Sequence, residues 1–175
     1  MRPGSLQTSC STASTGRAGA RKAGVRHITA DVSSKEDISR AFAAIASEQE
    51  RVDVLICNAG MGISGAVEIA AEADVRRIFD VNFFGALFAA QAALPHLRKT
   101  RGHIVFISSV AAPIAIPFQA FYSATKAAVN SLALALANEV RPFGVRVCAV
   151  MPGDARTGFT DARKKDAYPG IYAQA

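Results

Sequence analysis

The sequence has no tryptophan, only three cysteines and three histidines, and no acidic residue among its first 30 positions. Cys10, Cys57 and Cys148 show neither C-x-x-C nor metal-ligand spacing, and His27, His96 and His103 are scattered, so no metal site is expected. Cys57 and Cys148 lie in apolar runs and read as small core residues, which fits a reducing cytoplasm. No apolar run reaches the roughly 18–20 uncharged residues of a membrane span. The longest, 127–137, is interrupted by Asn130 and Ser131. A basic stripe with interleaved aromatics is also missing, so nucleic acid is not an expected partner. The net charge of +6 is local. Arg2, Arg17, Arg21, Lys22 and Arg26 supply five of those charges, and the rest of the chain holds fifteen basic against fourteen acidic residues.

Residues 1–24 are rich in Ser, Thr, Gly and Ala, with Leu6 as the one large aliphatic side chain. Such a stretch buries too little apolar surface to offset its ordering entropy, so a disordered or irregular head is expected. It has no apolar h-region for secretion and no amphipathic face for a transit peptide.

Half of the 175 residues are apolar, enough for one domain with a core. The pattern alternates short apolar runs with helical ones. A strand at 25–32 precedes a helix capped by Ser34-x-x-Asp37, with Ile38, Phe42, Ile45 and Ala46 on its apolar side. A buried strand at 52–57 closes on Asn58-Ala59-Gly60. Two helices are expected at 71–80 and 82–98, with Pro95 interrupting the second near its end. A strand at 102–107 ends in Ser108-Ser109, and another at 145–150 ends at Pro152-Gly153. Strand–helix alternation without hairpin signals means α/β with a parallel sheet.

From 121 to 141 there is no Gly or Pro, and Ala127, Ala128, Leu132, Ala135, Leu136 and Val140 give a mostly buried helix. Tyr122 and Lys126 stack one turn apart on one face of it. A phenol titrates near pH ~10 and is a poor base at neutrality, but an adjacent ammonium favours the phenolate. Ser109 stands thirteen residues before Tyr122, at the carboxyl end of its strand, where open α/β sheets bind ligands. A strand-end serine with a helix-borne Tyr and Lys makes a carbonyl-reducing constellation.

Ser109, Tyr122 and Lys126 at this spacing, with Asn58-Ala59-Gly60, Asn82, Pro152-Gly153 and Thr157 in order, resemble the short-chain dehydrogenase/reductase family from about residue 25 to about 160. The resemblance implies a Rossmann-like three-layer αβα fold lacking the first two strands. It divides the chain into a head at 1–24, a partial domain at 25–160 and a tail at 161–175. It implies an NAD- or NADP-dependent oxidoreductase interconverting a small-molecule ketone or aldehyde and its alcohol. Tyr122 would be the general acid/base, Lys126 would favour its phenolate and hold the nicotinamide ribose, Ser109 would hold the carbonyl, and Asn82 would anchor a water relay. Asp31 and Val32 would contact adenine. Asn58, Ala59 and Gly60 would lie beside its ribose, and Pro152, Gly153 and Thr157 over the carboxamide. Pro113, Ile114, Ile116, Pro117 and Phe118 would line an apolar substrate pocket. The family's association through matching helices implies a homo-oligomer.

The family's T-G-x-x-x-G-x-G turn, which sets a helix N-terminus against the cofactor's pyrophosphate, has no good counterpart. Thr15-Gly16-Arg17-Ala18-Gly19-Ala20 lacks both the preceding strand and the later glycines. Two readings follow: an NAD(P)-dependent oxidoreductase, or a truncated relative that keeps the catalytic residues but binds cofactor poorly and is inactive or an interaction module. Without the two missing strands, the 52–57 strand would have a bare edge unless the 25–32 strand moves in beside it.

Overall fold

The computed structural model describes residues 7–11, 25–49, 51–114, 116–153 and 164–165. Thr157, most of the head and most of the tail lie outside the described residues. The elements in chain order are β1 Gln7–Ser11, β2 Val25–Thr29, α1 Lys35–Glu48, β3 Val54–Cys57, β4 Ile63–Ser64, α2 Glu72–Phe79, α3 Gly85–Thr100, β5 His103–Ile107, α4 Ala120–Val140, β6 Arg146–Val150 and β7 Lys164–Lys165.

Three strands carry the site. β3, β5 and β6 form one parallel sheet with β5 in the middle. Leu55, Ile104 and Val147 are register partners, as are Cys57, Phe106 and Ala149. These two rows share one face, and they pack against Ala90, Ala93 and Leu97 of α3 and Val129, Ala133, Leu136 and Val140 of α4. Ile104, Phe106 and Leu97 are completely buried there. Cys57 is half-buried against α3, and desolvation pushes its thiol up to about 12, so it behaves as a packing group. Among the described residues, the opposite sheet face is less covered. Val54 is 52% exposed and Ile56 60%, and Cys148 is exposed too, which corrects its assignment to the core.

The head departs from expectation. Gln7–Ser11 is a strand that pairs in parallel with Val25–Thr29, so the head is not irregular throughout. Composition disfavours strand in a Ser/Thr-rich stretch, but a partner edge supplies the hydrogen bonds that composition cannot. Among the described residues β3 pairs only with β5, so β2 does not move in beside it.

The two expected helices at 71–80 and 82–98 are one continuous rod. Between α2 and α3, Asp80–Phe84 forms a π turn in which the Gly85 amide bonds the Asp80 carbonyl five residues back. Pro95 lies inside α3 instead of ending it. Pro95 and the residue one turn before it, Gln91, are both exposed, so the carbonyl left without an amide partner faces solvent. The rod Glu72–Thr100 contains an 18-residue window of mean hydropathy 1.3, long and apolar enough to cross a membrane. A third of that window is buried in the fold, Ala93 and Leu97 completely.

Ser34 caps α1 as the sequence predicts, its Oγ accepting from the Asp37 amide at 3.1 Å. At the far end of α3, Arg101 takes the left-handed conformation at φ 53°. Gly102 follows because of space: a Cβ there would stand 2.4 Å from the Asp53 carbonyl oxygen. Gly102→Ala is therefore expected to cost about 1–3 kcal/mol in denaturant unfolding. Gly153→Ala, where a Cβ would meet nothing within 4 Å, should leave the midpoint unchanged.

Candidate functional site

The end of β5 and the first turns of α4 hold each other. Lys126 Nζ donates to the carbonyl of Ile107, the last residue of β5, at 2.8 Å. One residue on, Ser108 Oγ donates to the Lys126 carbonyl at 3.2 Å. Tyr122 and Lys126 are 8% and 5% exposed, and the ammonium lies 5.8 Å from the centre of the phenol ring. Desolvation pushes the lysine down from 10.5 to about 8.

Asn82 comes to this place through the π turn and is 2% exposed. Its Oδ1 accepts from the Met61 amide at 2.8 Å, and its Nδ2 donates to the Met61 carbonyl at 3.0 Å and to Thr125 Oγ1 at 3.1 Å. The loop after β3 thereby passes over the lysine. A Cβ on Gly60 would stand 3.4 Å from Asn82 Oδ1 and 3.6 Å from Lys126 Nζ. Gly60 is the near wall of the site, and Asn58 is exposed at the strand end beside it.

Ser108 and Ser109 separate cleanly. Ser108 is buried and committed to α4, whereas Ser109 is half-exposed, and its Oγ accepts from the Ala111 amide at 3.1 Å. Ala111 packs in one cluster with Tyr122, Ile63 and Ile78, so the serine turn abuts the tyrosine. Across the sheet end, the Val110 amide bonds the Pro152 carbonyl at 3.1 Å, which lays the exposed Pro152-Gly153 beside Ser109. Of the expected pocket, Ile116 packs against the tyrosine's cluster and Ile114 is 54% exposed. Phe118 takes a positive φ of 60°, and its carbonyl receives the Gly65 amide.

Asp31 and Val32 are occupied locally. Asp31 Oδ1 accepts from the Ser33 hydroxyl at 2.7 Å and its amide at 2.9 Å. Those bonds, with Arg77 nearby, hold the carboxyl below its ordinary range. Val32 is 5% exposed and packs against Gly85 at the start of α3. The sequence reading passed over Arg77, which bonds Ser33 Oγ at 2.7 Å, and over Met61 and Thr125. Thr125 alone had a signal, a hydroxyl directly before the lysine.

A buried Tyr–Lys pair thus stands under a glycine loop at the carboxyl end of a parallel sheet. Comparison with known proteins defines the family. The family model described as short chain dehydrogenase matches residues 9–167. The 3-ketodihydrosphingosine reductase of Bacteroides thetaiotaomicron is 50% identical over 140 residues, covering 79% of this chain and 52% of the relative. A short-chain dehydrogenase from Streptomyces avermitilis superposes with a TM-score of 0.81 at 36% identity, over 86% of this chain and 57% of that one. A 3-ketoacyl-(acyl-carrier-protein) reductase from Brucella melitensis, complexed with NADH, gives 0.77 at 29% identity, over 81% and 61%. This chain belongs to the short-chain dehydrogenase family. It spans roughly half the length of the relatives it matches.

Burying the Lys126 ammonium costs stability at neutral pH. Below about pH 8 the lysine is charged both folded and unfolded, and the burial cost is fully present. As pH rises from about 8 toward 10.5 the folded form loses its proton first, so stability increases across that window. Lys126→Met is expected to melt higher than the natural chain at pH 7, with a gain of up to about 3 kcal/mol that shrinks as pH approaches 10.5. Melting curves of both chains from pH 7 to 10.5 check the convergence.

Proposed function

We propose that this chain carries the proton-transfer site of an NAD(P)-dependent oxidoreductase that interconverts a ketone or aldehyde and its alcohol. The observation that carries the reading is the buried Lys126 ammonium held between the Ile107 carbonyl, the Tyr122 ring and Gly60. In the reducing direction Tyr122 gives its proton to the carbonyl oxygen, and in the oxidising direction it takes one from the alcohol. The lysine's positive charge stabilises the negative charge that builds on the phenol oxygen in that step. Ser109 Oγ already accepts from the Ala111 amide, which leaves its proton to donate to the substrate oxygen. When bound, the nicotinamide supplies or removes the hydride.

The residues present fit the nicotinamide end of such a cofactor. Lys126 has three protons, one of them committed to Ile107, and Gly60 keeps the space above it free of a side chain. The exposed Pro152-Gly153 segment lies beside Ser109, where the Val110 amide bonds the Pro152 carbonyl. Val110 and Ile114, 43% and 54% exposed at the loop beyond Ser109, favour a substrate whose carbonyl sits on an apolar chain. The Bacteroides relative, named for a 3-keto sphingoid base, supports the same class.

A second reading rests on the uncovered sheet face with Val54 and Ile56: the chain keeps this site but grips the cofactor weakly. Calorimetric titration with NADH and NADPH separates the two. Micromolar binding of either supports the oxidoreductase, and Tyr122→Phe should then keep that binding while losing 10²–10⁴-fold in turnover, by the usual weight of a general acid. Absence of binding to both would sustain the second reading instead. Leu134 on α4, 71% exposed, and Phe84 in the π turn, 40%, also favour self-association. Light scattering at high concentration should show a species larger than the monomer, which Leu134→Glu should dissolve.

A further inference from the structure

Beyond β2 the chain turns through Asp31-Val32-Ser33-Ser34 into α1, and three helices hold that turn. From α1, Asp37 Oδ2 accepts the Asp31 amide at 3.1 Å. At the start of α3, Gly85 lets Val32 come so close that a Cβ there would stand 3.0 Å from the valine side chain. From α2 comes Arg77. The Ser33 hydroxyl gives its one proton to Asp31 Oδ1 at 2.7 Å and accepts from Arg77 Nη1 at 2.7 Å. Oδ1 also takes the Ser33 amide at 2.9 Å. The Ser33 bonds come first among the causes that hold this carboxyl below its ordinary range, so at neutral pH it only accepts. Arg77 Nη2 stands 3.6 Å from Oδ2, longer than a hydrogen bond. The arginine and aspartate side chains are 43% and 37% exposed. A carboxylate acceptor and a guanidinium donor thus lie side by side at the solvent boundary, past the strand end where open α/β sheets take ligands.

An exposed ion pair of this kind adds little to stability. Its chemistry suits a ligand that offers a donor beside an acceptor. The exocyclic amine of adenine and the adjacent ring nitrogen are such a pair, whereas an oxopurine presents two acceptors there. We propose that Arg77 is a specificity-determining residue for an aminopurine: it holds Ser33 so that Asp31 Oδ2 accepts from the amine, and its guanidinium donates to the ring nitrogen. The family resemblance implies adenine beside Asp31 and is silent on Arg77, which stands on another helix. The fork of the guanidinium is needed because Ser33 and the base are bonded at once, and a lysine in its place is a single point donor. Only the source of the aminopurine, a nicotinamide dinucleotide, rests on the oxidoreductase reading.

The test titrates the isotope-labelled chain with adenosine and with inosine, its oxo counterpart, and follows the amides of Asp31, Val32 and Ser33 by NMR. Adenosine should move them with an affinity about tenfold above that of inosine. Arg77→Met keeps much of the stem without the donors, and it should erase most of that preference while the unfolding midpoint moves little. Calorimetry of NADH against its hypoxanthine analogue should show the same preference and the same loss. No response to adenosine, or an equal response to both nucleosides, overturns the proposal. So does a folded Arg77→Met chain that keeps the natural preference. A variant that weakens both nucleosides by the same factor overturns it too, since the arginine would then only support the turn. Should Arg77→Met fail to fold, Arg77→Lys decides: it retains the charge and must still lose most of the preference. A natural chain that prefers adenosine but binds neither NADH nor NADPH refutes the oxidoreductase reading alone. One that binds NADH and the hypoxanthine analogue equally refutes the role of Arg77 alone.

Discussion

The bond between Lys126 and the Ile107 carbonyl is the one on which the other distances in the site depend. It brings a charge into a place with little water, and the lysine's depressed pKa is the physical record of that cost. Among the described residues, what surrounds it is a cage of neutral groups: the end of β5, the Tyr122 ring, and the glycine loop. A neutral cage leaves the ammonium's field directed at whatever negative charge develops beside it. A carboxylate partner would have cancelled that field. Stability is lost so that the field survives, the usual direction of exchange at a working site.

Much of this was legible because it depends on spacing along one element. Helical periodicity placed Tyr122 and Lys126 one turn apart, and the apolar run ending in two serines placed a strand end beside them. The parallel order of β3, β5 and β6 followed from alternation alone. Ser109 is half-exposed at a turn, and Ser108 is buried under α4.

The rest was hidden because it depends on approach across the fold. Thr125, Met61 and Arg77 acquire partners 43, 21 and 44 positions away, and no local pattern encodes such pairings. The π turn was read as a break, with one helix ending at 80 and another starting at 82. It is instead a widening inside one rod. The strand at Gln7–Ser11 was missed for a different reason: its residues do not favour strand by themselves, and only a neighbouring edge gives them one. Cys148 was misplaced because an apolar strand was taken to be covered on both faces, while the helices described here cover only one.

The π turn has a consequence for which changes in chain length this region tolerates. A π turn holds one residue more than an α turn over the same rise, and each residue of ordinary helix rotates the chain by about 100°. Removing one residue from 80–84 would let the rod close into regular α-helix across the former π turn. The helix would heal, and α3 could still bury Ala93 and Leu97. Asn82 would be lost from its wall, either deleted or swung a quarter-turn or more away from Met61 and Thr125. A one-residue deletion here would therefore be nearly silent in folding and severe in the site. In this segment the reading of length is a finer filter than the reading of composition.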